Sequence, residues 1–119
     1  MKHTALLVVA LLAGCAHQSA HAQSPCEKIE YAKLKDSNRK ELNEQYCRAM
    51  QRSKLNEDLR AISSELFNKQ LAMGANTNQS HKDMVARGDA QISCLSVAED
   101  VTDMLSKKFK AKPAACPQK

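Results

Sequence analysis

The stretch LNEQYCRAMQRSKLNEDLRAISSELFNKQLAMG, Leu42 to Gly74, decides the fold class. Leu42, Tyr46, Ala49 and Met50 recur at helical spacing, and Leu55, Leu59, Ile62, Leu66 and Phe67 resume the period after a shift of register at Ser53. No glycine or proline breaks the run before Met73-Gly74, where glycine just past the last turn is a stop signal. The pattern predicts one long helix with its apolar stripe toward a partner, and the register shift leaves room for a bend at Ser53.

Upstream, Asn38 and Glu41 form a capping box that starts this helix, and KDSN, Lys35 to Asn38, separates it from an earlier one. The earlier helix is expected from Ser24 as N-cap, Pro25 in the first helical position and Glu27, and it carries Ile29, Ala32 and Leu34. Downstream, GANTNQ, Gly74 to Gln79, reads as a loop, and Ser80 with Asp83 caps a third helix. Its expected face holds Met84, Gln91, Leu95, Ala98, Val101 or Thr102, and Leu105, with Gly88 a weak point. Pro113 ends the helical possibilities. No segment alternates as a strand would, so the expectation is an all-α domain, a small helical hairpin or three-helix unit.

Such a chain buries a modest core, and its cysteines supply the missing stability. The chain has five, Cys15, Cys26, Cys47, Cys94 and Cys116, and setting Cys15 aside leaves four for two disulfides. A hairpin turning near residues 36 and 37 sets Cys26 opposite Cys47. A second hairpin, turning near residue 77, sets Cys47 opposite about residue 107, an offset of ~20 Å from Cys94 at ~1.5 Å per residue. Only a bend near Ser53 rescues Cys47–Cys94. The favoured pairing is therefore Cys26–Cys47 and Cys94–Cys116, with residues 110 to 116 extended back along the third helix.

The N-terminus has the layout of an export signal: Lys2 and His3, an apolar run from Ala5 to Ala13, then small residues. The run falls well short of the roughly 20 residues a membrane-spanning helix needs. Leu12-Ala13-Gly14-Cys15 resembles the lipobox of bacterial lipoproteins. The resemblance implies that Cys15 becomes the lipidated amino terminus and, with Ala16 rather than aspartate behind it, that the protein sits on the outer membrane facing the periplasm. Several acyl chains make such anchoring stable. The competing expectation is cleavage after Ala20-His21-Ala22, which releases a soluble periplasmic or secreted protein. With the lipobox in use, residues 1–14 are the signal, 15–24 a lipid-anchored flexible tether, and 25–119 the disulfide domain with a short irregular tail.

The net charge is +5, with 18 Lys and Arg against 13 Asp and Glu, mostly interleaved. The one local excess is Lys107, Lys108, Lys110 and Lys112, read as a helix C-terminus complementing the dipole or as a contact for an anionic surface such as peptidoglycan. Nucleic acid is not an expected partner, because few aromatics accompany the cations. Of four histidines only His81 lies in the domain, no CxxC pair occurs, and carboxylates such as Glu57, Asp58, Glu99, Asp100 and Asp103 fall on polar faces. No enzyme, cofactor or metal is expected. What remains is surface, including Met50, Met73, Met84 and Met104 as adaptable apolar contacts. The leading expectation is an envelope lipoprotein that binds another envelope protein, similar in architecture to secretin pilot lipoproteins. A periplasmic immunity or exclusion protein and a structural lipoprotein touching peptidoglycan are the alternatives.

Overall fold

A computed structural model describes residues 25–117. The signal, Cys15, the tether and Ser24 lie outside the described residues. The protein is all-helical, with α1 over Tyr31–Asp36, α2 over Arg39–Ala72 and α3 over Asn78–Phe109. The long helices α2 and α3 form an antiparallel hairpin, and α1 packs on α3.

The second helix starts as its sequence predicts, with Asn38 Oδ1 accepting from the Glu41 backbone N–H at 2.8 Å. It ends at Met73 and Gly74, where φ of 67° calls for glycine. Between them α2 is unbroken. Its buried positions are Leu42, Ala49, Ser53, Asn56 and Ser63, a single stripe in which small and polar side chains replace the apolar ones past Met50. Leu55, Ile62 and Leu66, expected in the core, are exposed, while Leu59 and Phe67 are half-buried. The register shift is present in the apolar pattern, and the helix runs through Ser53 without interruption. On α3 the buried stripe is Ser80, Ala90, Cys94, Val97, Ala98, Val101, Met104 and Leu105. Leu95 is exposed, and Met84, Gln91 and Thr102 are half-buried.

Two helix starts differ from expectation. Residues 25–30 are not helical, and α1 begins only at Tyr31. Cys26 is bonded to Cys94, and Lys108 donates to the carbonyls of Lys35 and Ser37, so the N-terminal arm runs beside α3 from Cys94 to Lys108. The Cys26–Cys94 bond and the Lys108 contacts fix this arm at both ends. At the other site α3 begins at Asn78, with Thr77 in the cap position, and Ser80 lies inside the first turn. The Ser80 hydroxyl instead donates across the hairpin to Gln70 Oε1 at 2.7 Å.

The disulfides are Cys26–Cys94 and Cys47–Cys116, which overturns the expected Cys26–Cys47 and Cys94–Cys116. The expectation placed Cys26 on a helix opposite α2. The arm lies on α3 instead, because Ile29 and Leu34 pack into the cluster of Leu42, Val101 and Leu105. The C-terminal tail takes the remaining side, along α2, where the Ala114 backbone N–H donates to Asn43 Oδ1 at 3.0 Å. Each arm is thus bonded to the long helix it lies on.

The molecule therefore has two unlike halves. The open end of the hairpin, where both arms lie, holds the core cluster of Leu34, Leu42, Ala49, Val97, Ala98, Val101, Met104 and Leu105. The turn end is a bare pair of helices joined by the Ser80 bond, by Arg87 Nη1 donating to the Leu59 carbonyl at 2.7 Å, and by Phe67 against His81. Gly88 in this half is a place to strengthen it. A methyl group there meets only the Arg60 side chain, at 3.7 Å. Gly88→Ala is expected to raise stability by about 1 kcal/mol through helix propensity, read as a higher thermal midpoint. A lower midpoint would mean that Arg60 cannot stay where it is.

Candidate functional site

Two helices cannot enclose large side chains on more than one face each, so whatever apolar residues lie off the α2–α3 seam meet solvent. In the turn half the seam itself is taken by Ser53, Asn56, Ser63, Ser80 and Ala90. The large residues lie beside it: Ile62 is 61% exposed, Leu66 48%, Ile92 68% and Met73 81%, with Leu55, Val85 and Leu95 also open. Asn56 marks the inversion, being fully buried with its amide donating to the Arg52 carbonyl at 2.9 Å while Oδ1 has no partner. A polar seam with apolar flanks is the reverse of an ordinary hairpin.

On α2 the exposed Leu55, Ile62 and Leu66, with half-buried Leu59 among them, recur at intervals of four, three and four residues, a 3.5-residue repeat that continues through Lys69 to Met73 just past the helix end, while the exposed Leu71 lies off this line. From Leu55 to Met73 the line is about 27 Å long. Separately, a groove of about 700 Å³ lies between α2 and the C-terminal tail, lined by Arg39, Lys40, Glu44, Arg48 and the tail residues Ala114, Ala115 and Pro117. The Cys47–Cys116 bond holds this wall in place.

The expected anionic-contact lysines have separate positions. Lys108 holds the end of α1 and lies 5.3 Å from the Phe109 ring. Lys107 pairs with Asp103 at 2.8 Å, and this hydrogen bond and charge hold its ammonium above the usual lysine pKa. Lys110 takes the left-handed conformation that closes α3, with φ 51°, and Lys112 is exposed in the tail. They do not form one free patch. The carboxylates Glu57 and Asp58 pair with Lys54 on the surface and raise its pKa, first through the Asp58 hydrogen bond. Such exposed pairs contribute little. Among the described residues no group of three potential ligands is placed to hold a metal ion, and no helix is long and apolar enough to cross a membrane. Met104 is buried, Met50 and Met84 are half-buried, and Met73 alone of the four stands open.

Sequence reasoning missed the groove because one wall is the tail, which it placed on α3. The inverted amphipathicity was legible: Ser53, Asn56 and Ser63 form a small polar stripe at helical spacing beside the apolar one. Compared with protein-family models, curated proteins and solved structures, the chain matches none.

Proposed function

We propose that this chain is an exported envelope lipoprotein, anchored through Cys15, whose helical hairpin binds another envelope protein as a secretion-system accessory does. The observation that carries the reading is the concentration of large exposed apolar side chains on the turn half, away from the disulfide-clamped core. Exposed apolar surface of this extent marks an interaction site in soluble domains. Two disulfides at the other end keep the presenting helices rigid, which lowers the ordering cost of binding. An immunity or exclusion protein would use the same surface. The peptidoglycan reading draws on Lys107, Lys108, Lys110 and Lys112 and leaves the apolar half without a role, so it ranks lower.

Two measurements in intact cells test the proposal. A fatty-acid analogue is expected to label the parent protein and not Cys15→Ala, and absence of label on the parent would restore cleavage after Ala22. A photo-crosslinking residue at Ile62 or Ile92 is expected to yield a specific adduct with an envelope protein, and one at Glu99 none. Equal adducts at all three positions would remove the case for a binding face.

A further inference from the structure

The exposed apolar residues of the turn half lie on two opposite faces of the hairpin. Counted from the buried stripe of α2, the line of Leu55, Leu59, Ile62, Leu66 and Met73 lies roughly 100° round the helix in one sense. Counted from the buried stripe of α3, Val85, Ile92 and Leu95 lie roughly 80° to 160° round in the other sense. In an antiparallel pair, opposite senses point to opposite faces.

The N-terminal arm belongs to the face of the α2 line. Ala32, Lys33 and Asp36 of α1 stand beside Glu41 and Gln45, which lie on the same side of the α2 stripe as the line does. From α1 the arm leads back to Cys94. The bonds of Ser80 to Gln70 and of Arg87 to the Leu59 carbonyl set Cys94 level with about residue 54, the Leu55 end of the line. The described chain begins there, at Pro25, and residues 15–24 separate it from the expected anchor at Cys15. Ten residues span at most ~35 Å. We propose that the α2 line, with Arg48 and Arg52 before it and Lys69 within its last turns, rests on the phospholipid surface that holds the Cys15 anchor, leaving the α3 face to the partner protein. The inference rests on the lipoprotein reading and gives the anchored domain an orientation.

Reach, shape and charge each support this occupant. The short connection holds the domain beside the lipid surface, so the effective concentration is high and a weakly binding face is sufficient. The line is straight and about 27 Å long, and no described segment packs on it between Leu55 and Met73. Cations bound its apolar stretch at both ends, where long stems carry charge to head groups while the apolar side chains between them meet acyl chains. Among the described residues Arg48 and Arg52 have no ion-pair partner, and Lys69 has only the exposed Glu65 at 3.4 Å, a contact that contributes little.

The chain contains no tryptophan, so a single introduced one reports on one place. The full-length product, purified with its lipid from producing cells, is placed in phosphatidylethanolamine and phosphatidylglycerol vesicles with brominated acyl chains. Ile62→Trp is expected to shift its emission to the blue and lose about half or more of it to bromine, as a side chain inserted ~5 to 10 Å into the surface would. Ile92→Trp is expected to keep its emission. Both positions are exposed and outside the core, and circular dichroism checks that both variants fold. In cells, a photo-crosslinking residue at Ile62 is expected to give a phospholipid adduct, and one at Ile92 the protein adduct. Equal quenching at both positions, quenching at Ile92 alone, or none at either overturns the inference while a labelled anchor still stands. A protein adduct at Ile62 gives this face to the partner and overturns it as well. Absence of fatty-acid label on the parent removes the anchor and the inference together.

Discussion

Replacing Cys47 and Cys116 together by serine is expected to lower the folding free energy by roughly 2 to 5 kcal/mol. The bond joins residues 69 apart in sequence, and the loop entropy it removes from the unfolded chain is on the order of 4 kcal/mol in the chain-entropy picture. For a domain of this size that is a fall in thermal midpoint of roughly 10 to 30 °C. The same applies to Cys26 and Cys94, at a separation of 68, with an added loss because Cys94 is fully buried. The two pairs differ in what else they release. Without Cys47–Cys116 the side-chain hydrogen bond that holds the tail to α2 among the described residues is that of Ala114 to Asn43, so limited trypsin digestion should cut after Lys110, the bond after Lys112 being protected by Pro113, before the helices open. Thermal unfolding of each pair variant, with peptide mapping of the unreduced parent, checks both points. Recovery of a Cys26–Cys47 peptide, or an unchanged midpoint, would refute the arrangement.

The second large effect is expected at Leu105. Leu105 and Leu42 are wholly inaccessible and belong to the same cluster in the open half. Leu105→Ala should therefore cost roughly 2 to 5 kcal/mol, the sum of lost burial and the cavity left among well-packed neighbours. Leu55→Ala and Ile62→Ala, which remove as much apolar side chain from the exposed line, should stay within about 0.5 kcal/mol of the parent. Urea denaturation with an unchanged slope is the measurement. Equal losses at Leu105 and Ile62 would show that the turn half has a core of its own, and the binding reading would lose its main support.

These two predictions separate the halves of a helix that sequence periodicity treats alike. Leu42, Tyr46 and Ala49 and then Leu55, Ile62 and Leu66 both recur at helical spacing as apolar stripes. The first set is covered because Leu42 and Ala49 lie on the stripe of α2 that faces α3, where Ile29 and Leu34 add to the cluster, and the second is bare because it lies off that stripe and no described segment packs on it. Periodicity records which residues share a face and carries no information about whether anything packs against it. Cysteine connectivity had the same difficulty. Four cysteines allow three pairings, and the choice depended on whether Cys26 sat over α2 or α3.

The local grammar of the chain by itself determined the class of fold: the Asn38 cap with Glu41, the Gly74 stop, the long uninterrupted periods of α2 and α3, and an even set of four cysteines in the body. Each of these acts within a few residues, through backbone hydrogen bonds, allowed dihedral angles or simple count. Tertiary structure alone decided which disulfides form, where the arms lie, and which apolar residues stay in water. Those depend on contacts between residues tens of positions apart. The arms have room on only one part of a long hairpin, and their docking there encloses the open half and leaves the α2 line exposed.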